Sequence, residues 1–202
     1  MTDHYFSDTP ASVDQRHTKT VSIRGRDYVV QVASGTFSPG GLDRGTKVLL
    51  DLAPAPSPSG VAVDVGCGWG PISLALAADA PDAEVFAVDV NPRARELTAT
   101  NAHKAGANNV RVIDPDEFPD NTPIDTLWSN PPIRIGKKAL HELLTTWLHR
   151  LSADGNAWLV VAKHLGAESL LSWLNTAHDG AFSATRFGRD KGFHVIHVTR
   201  TP

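Results

Sequence analysis

The chain has 202 residues, 41% hydrophobic and 20% charged, with a formal net charge of −3. That is an ordinary globular composition, enough for one large domain or one domain with a small appendage, and too apolar for general disorder. A single cysteine excludes a disulfide framework and a multi-cysteine zinc site. No apolar run approaches the roughly 20 residues that span a bilayer, and residues 1–10 show no secretory signal. The expectation is a soluble cytoplasmic protein. In chain order, residues 1–17 read as a polar loop, and 19–24 and 27–33 as the strands of a hairpin turning at Arg24-Gly25-Arg26-Asp27. Ser38-Pro39-Gly40-Gly41 is a loop. Asp43 is placed to cap a helix running to about residue 53, and the proline-rich stretch 54–60 breaks the chain.

From residue 61 the pattern changes. Val61-Ala62-Val63-Asp64-Val65 suits a buried parallel strand. Helices are predicted over 71–80, 92–105, 137–151 and 167–177, and further strands over 84–89, 110–113, 124–129, 157–162, 182–187 and 193–199, with a short turn near Asp190. Strand–helix alternation ending in a hairpin argues for a mostly parallel α/β sheet with one antiparallel end. Charge is uneven: residues 1–49 carry six basic and five acidic side chains, 50–129 four and twelve, 130–202 nine and five. Scattered solvated charge explains this; so does an anionic polymer, if the basic residues share one face.

Three strand ends carry chemistry. Asp64-Val65-Gly66-Cys67-Gly68-Trp69-Gly70 follows a strand and precedes a helix, where glycines permit a tight turn and close approach of a ligand. Its G-x-G-x-G spacing differs from the G-x-G-x-x-G dinucleotide fingerprint. Asp89 ends the next strand, 19 residues beyond Gly70, where a carboxylate accepts hydrogen bonds from a ribose diol. Ser129-Asn130-Pro131-Pro132-Ile133 ends the fourth strand of this series. Two prolines remove two donors and stiffen the chain. That leaves the Asn130 side-chain oxygen and a nearby carbonyl as fixed acceptors for a planar amino group.

Together these elements resemble the class I S-adenosylmethionine-dependent methyltransferases. With His4-Tyr5-Phe6-Ser7, Phe37-Ser38, Asp43-x-Gly45-Thr46, Ile133-Arg134-x-Gly136-Lys137 and Lys191-Gly192-Phe193, the chain looks like the small methyltransferase domain of the ribosomal RNA small subunit methyltransferase C family over nearly its whole length. That resemblance implies a Rossmann-like, seven-stranded, mostly parallel sheet with an antiparallel C-terminal hairpin at 55–202, and an N-terminal hairpin and helix, 1–54, packed on it. It implies methyl transfer from S-adenosylmethionine to guanine N2 of ribosomal RNA, free or in an assembling small subunit. An adenine, a protein glutamine or a small molecule are alternative acceptors, and a non-catalytic RNA-binding descendant is a further alternative.

By the same resemblance, Asp64, Gly66, Cys67, Gly68 and Gly70 line the methionine part of the cofactor. Asp89 and Val90 hold the ribose side, Asp114 or Asp116 lies near the adenine amine, Asn130, Pro131 and Pro132 hold the target, Asn130 also borders the cofactor, and Ile133 is a further substrate contact. Ile133 stands where amino-methylating relatives carry an aromatic residue, which disfavours stacking on an adenine. Many family members carry a second, degenerate copy of the domain, and these residues are expected to act without it. Arg134, Lys137 and Lys138 either meet RNA phosphates or form a solvated helix face. Cys67 reads as a small buried residue rather than a nucleophile. His194 and His197, three apart on a strand, face opposite sides and suit no metal. No metal or membrane partner is expected. Trp128, Trp147 and Trp158 are expected in the core, and Trp69 either there or against the cofactor.

Overall fold

The computed structural model describes residues 15–36, 38 and 40–201. His4-Tyr5-Phe6-Ser7 and Phe37 lie outside the described residues. A two-stranded antiparallel hairpin, β1 (Arg16–Ile23) and β2 (Arg26–Ala33), leads to helix α1 (Arg44–Leu52). Then follow β3 (Ser59–Val65), α2 (Pro71–Asp79), β4 (Asp82–Val88), α3 (Pro92–Ala105), β5 (Val110–Ile113) and β6 (Ile124–Ser129). The chain ends through α4 (Lys137–Leu148), β7 (Leu151–Ala162), α5 (Ala167–Thr176), β8 (Phe182–Asp190) and β9 (Phe193–Arg200). Strands β3–β9 form one seven-stranded sheet in the order β5-β4-β3-β6-β7-β9-β8. The β3, β4, β5, β6 and β7 ladders are parallel; β9 runs antiparallel between β7 and β8.

Strand alternation sends side chains to two buried faces. Val63, Val65, Phe86, Val88 and Leu127 point into one core with Leu140 and Leu144 of α4 and Leu170 of α5. Ala62, Val85, Trp128, Val160 and Val195 point into the other, with α1, α2, α3 and the hairpin residues Ile23, Val30 and Val32. The N-terminal hairpin and helix therefore share a core with the sheet. Asn101 of α3 fastens β2, its amide accepting from Gln31 N at 2.7 Å and donating to Gln31 O at 2.9 Å.

Several boundaries depart from expectation, among them the starts of β3 and β4, each two residues early. Residues 16–18 belong to β1 rather than to a loop. Helix α4 stops at Leu148 instead of 151, because Leu151 is buried opposite Ile124 as the start of β7. The polar stretch from Ser152 to Gly155 stays inside β7 through a register shift between Ile124 and Thr126. A Cβ at Gly155 would lie 2.5 Å from Ile124 O, so the bulge needs glycine there. Strand β8 runs on to Asp190, past a second register shift between Arg186 and Gly188.

Candidate active site

The sheet reverses its winding between β3 and β6, and α/β sheets bind ligands outside the carboxyl ends of the strands at such a point. The glycine loop follows β3, Asp89 follows β4, Asp114 follows β5 and Asn130 follows β6, so all four reach one edge. Ser129 Oγ donates to Val65 O at 2.7 Å and locks the two central strand ends together.

Gly66, Gly68 and Gly70 all have positive φ, at 81°, 59° and 92°. The loop exposes little side chain. Trp69 is 1% exposed in the core and Cys67 is buried. Burial and the neighbouring Asp89 and Asp64 carboxylates push the Cys67 thiol well up, which suits an inert thiol. Trp69 shares one core with Trp128 and Trp158 and also lines the cleft beside Asn130, while Trp147 lies in the core on the other face of the sheet.

Asp64 lies beneath the loop, fully buried. Its Oδ2 accepts from Ser73 N at 3.0 Å and Ser73 Oγ at 2.6 Å, while Oδ1 has no partner. Burial raises its pKa to about 7 against the pull of the Ser73 bonds. Asp89 braces the loop from the next strand. Its Oδ2 accepts from Gly68 N and its Oδ1 from Asn91 N, both at 2.9 Å. Burial raises Asp89 to about 6, opposed by those two bonds and by Arg95. Val90 beside it is 37% exposed, an apolar surface at the edge.

Asp114 caps a short 3-10 turn and is paired with Arg95 at 2.8 Å; Arg95 also donates to Asp89 O at 2.7 Å. Arg95 therefore ties the β4 and β5 ends together. Asp116 is exposed, its backbone N bonded to Asp114 Oδ1.

Asn130 is oriented by the N-terminal helix. Its Nδ2 donates to Asp43 Oδ2 and to Thr46 Oγ1, each at 3.0 Å. A carboxylate offers no proton, so the amide must turn its nitrogen to Asp43 and its oxygen away. Asp43 Oδ2 also caps α1, accepting from Gly45 N at 2.8 Å and Thr46 N at 3.1 Å. A small cleft is lined by Ser38, Asp43, Thr46, the residues 66–69 and Asn130. Pro131 and Pro132 are buried, and Pro131 O accepts from Ile133 N at 2.9 Å. Ile133 is half-buried against the core. Arg134, Lys137 and Lys138 are exposed at the start of α4, Lys138 reaching Glu142 at 3.8 Å.

Local sequence reading took Asp43 as a helix cap and missed its second role, because Asn130 lies 87 residues away. It also missed Ser73 and Arg95, whose partners are set by tertiary packing. His194 and His197 do separate: His194 is buried near Glu168, and His197 stacks on Trp158 with its Nε2 2.7 Å from Asn156. Among the described residues no group of three or more histidine, cysteine or acidic side chains is placed to hold a metal ion, and no helix is long and apolar enough to cross a membrane.

A family model described as a methyltransferase small domain matches residues 27–197. A curated relative, the uncharacterized protein YbxB of Bacillus subtilis (strain 168), is 35% identical over 203 residues, covering 99% of this chain and 100% of the relative. Among solved structures, the T. thermophilus 16S rRNA N2 methyltransferase RsmC, in complex with AdoMet and guanosine, superposes with a TM-score of 0.71 at 20% identity. That match covers 92% of this chain and 51% of RsmC, so the chain spans about half the length of that protein. An rRNA methylase from Streptococcus thermophilus (TM-score 0.60, 19% identity, 80% of this chain and 99% of that one) shares the fold. So does a precorrin-6y C5,15-methyltransferase from Geobacter metallireducens (0.58, 18%, 78% and 87%).

Proposed function

The chain belongs to the methyltransferase small domain family, and from that premise we propose that it methylates the exocyclic N2 of guanine in ribosomal RNA. It is an S-adenosylmethionine-dependent methyltransferase. The cofactor fits what the strand ends offer: a glycine loop with little side chain, a buried carboxylate in Asp89, exposed apolar Val90, and a carboxylate oxygen of Asp64 without a partner. On this reading the residues 66–70 cradle the methionine part, with Asp64 beneath them. Asp89 accepts from the ribose hydroxyls through its remaining lone pairs, and Asp114 lies toward the adenine. Bound there, the cofactor supplies an electrophilic sulfonium methyl.

The observation that carries the reading is the free oxygen of Asn130. With both amide hydrogens committed to Asp43 and Thr46, Oδ1 accepts from the target amine. That bond and a second one to the Pro131 carbonyl hold the amine in line and favour a pyramidal, more nucleophilic nitrogen. The new N–C bond would form as the methyl–sulfur bond breaks, its electron pair staying on sulfur as a neutral thioether; the positive charge then passes to the nitrogen, where aligned acceptors stabilise it. The proton then leaves to solvent, so no strong base is required, and most of the rate comes from positioning. A paired guanine would not reach the cleft; the base must be unpaired or flipped. Support for guanine over adenine comes from Ile133, which offers no aromatic face, and from the fold shared with RsmC. Support for RNA comes from the exposed Arg134, Lys137 and Lys138 beside Asn130.

The test is nucleoside mass spectrometry of ribosomal RNA and small subunits, from cells lacking the gene, after incubation with enzyme and cofactor. N2-methylguanosine is expected. Methylated adenosine, a methylated protein or no product at all refutes the assignment. Asn130→Ala should lower turnover on the order of a hundredfold, the usual cost of one aligned polar group, and leave cofactor affinity intact.

A further inference from the structure

The β8–β9 turn carries Lys191-Gly192-Phe193, a motif for which the site described above has no use. The turn stands at the same edge of the sheet as Asn130. Phe193 pairs with Ala162 at the end of β7, and Lys163 N donates to Gly192 O at 2.9 Å. On one side the turn reaches the catalytic cleft: the Phe193 ring lies against Gly45, 2.9 Å from where a Cβ would stand, next to Asp43. On the other side a cleft opens between the turn and the start of α5. Lys163, Arg186, Arg189 and Lys191 line it, with Glu168 and Asp190.

Four cations against two carboxylates leave this cleft net positive. Arg186 is paired with Glu168 at 2.7 Å and Lys191 approaches Asp190 at 3.6 Å. Lys163 and Arg189 are exposed and make no ion pair among the described residues. The backbone adds a second argument. Lys191 (φ 46°) and Gly192 (φ 82°) both have positive φ, as do Arg24 (47°) and Gly25 (78°) in the β1–β2 turn. A long side chain is unfavourable at the first of these positions. Arg24 uses the conformation: its guanidinium bonds Leu50 O and Ala53 O at the end of α1 and pairs with Asp79. Lys191 has no such internal use, its side chain being 61% exposed.

We propose that this cleft seats phosphates of the RNA strand flanking the target base, with Lys163, Arg189 and Lys191 as the contacts. The inference rests on the reading of the substrate as RNA and adds the path of the strand. From Asn130 on β6, the edge passes β7, β9 and β8 in turn. Three steps of about 4.8 Å place the far side of the cleft about 14 Å from β6. At about 3.4 Å or more of strand per nucleotide, that distance is covered within about four nucleotides of the target.

The experiment measures binding of a fluorescein-labelled, 12-nucleotide single-stranded RNA with one guanine, by anisotropy at 50, 100 and 200 mM KCl. The triple variant Lys163→Ala, Arg189→Ala, Lys191→Ala should bind about tenfold or more weakly at 100 mM. Its log–log salt slope should be shallower by about 2, since each lost phosphate contact removes about 0.7 on a single strand. Lys104→Ala, in the last turn of α3, should change neither quantity. Melting temperature and calorimetric cofactor affinity report folding; if the triple variant melts early, Lys163→Gln with Arg189→Gln replaces it. Unchanged affinity and slope in a folded variant overturn the proposal while leaving the RNA substrate standing. A wild type with no salt-dependent RNA binding overturns the RNA reading itself, and this inference with it.

Discussion

The contact between Asp43 and Asn130 makes the N-terminal helix part of the proposed catalytic apparatus, and this can be measured. Asn130 holds its orientation through two bonds of 3.0 Å, one to a carboxylate and one to a hydroxyl. A bond to a charged group contributes about 1.5–3 kcal/mol and a neutral one about 0.5–1.5. Asp43→Ala removes the stronger, and the amide is then free to turn its nitrogen toward an amine that needs an acceptor. Turnover should fall about 10- to 100-fold in single-turnover methyl transfer, with the KM for the cofactor nearly unchanged. Thr46→Val should cost about 2- to 10-fold, and Thr46→Ser should restore it. Asp43→Ala also loses a helix cap, worth about 1 kcal/mol. One oxygen of Asp43 serves both the cap and Asn130, so Asp43→Asn keeps the cap and a neutral bond to Asn130, and should cost less than Asp43→Ala. The decisive comparison is a double-mutant cycle with Asn130→Ala. If Asp43 acts through Asn130, then Asp43→Ala should cost almost nothing more once Asn130 is alanine. An equal loss of turnover in both backgrounds refutes the positioning role and leaves Asp43 as a cap.

Three other consequences are open to measurement. Asp89, raised to about 6, accepts more strongly from hydroxyls as a carboxylate than as a neutral acid, so cofactor affinity should drop between pH 7 and pH 5, by up to about tenfold; calorimetry on Asp89→Asn should show a weaker and flat profile. The stability of the unliganded protein responds in the opposite sense. Asp64 and Asp89 both bind protons more tightly folded than unfolded, so their contribution to stability grows as pH falls from about 7 toward 4. Arg24→Ala removes the bonds to Leu50 O and Ala53 O and the pair with Asp79. It should cost about 2 kcal/mol, seen as a melting temperature lower by about 4–8 °C.

The elements legible in the sequence are those whose cause is local. Apolar runs such as Val61-Ala62-Val63-Asp64-Val65 are buried on both faces because a parallel sheet covered by helices offers no wet side. The glycine loop, Asp89 and Asn130 each sit at the end of such a run, so their common edge follows from the fold class alone. Leu151 was misplaced because the polar residues after it look like a loop; the bulge that keeps them in the sheet depends on Ile124 and Asp125, far off in sequence. The Asp43–Asn130 and Arg95–Asp114 pairs were illegible for the same reason, since no periodicity reports which strand end a helix start will face.

The turn near Asp190 shows a finer limit: its place was legible, its conformation was not. A two-residue hairpin turn with positive φ at both centres favours asparagine or glycine first, and here a lysine occupies that position at φ 46°. A sequence optimised for the turn alone would not carry it. Lys191→Asn should therefore stabilise the protein by about 1 kcal/mol, raising the melting temperature by about 2–4 °C. The matching change at the other hairpin, Arg24→Asn, should destabilise, because the same backbone relief is outweighed by the lost bonds to Leu50 and Ala53. Calorimetric scans of both variants at one pH decide the matter. Opposite shifts mean that Lys191 is held against the preference of its own turn. A fall or no change for Lys191→Asn means the turn carries no strain, and the backbone argument for an external ligand at Lys191 is withdrawn.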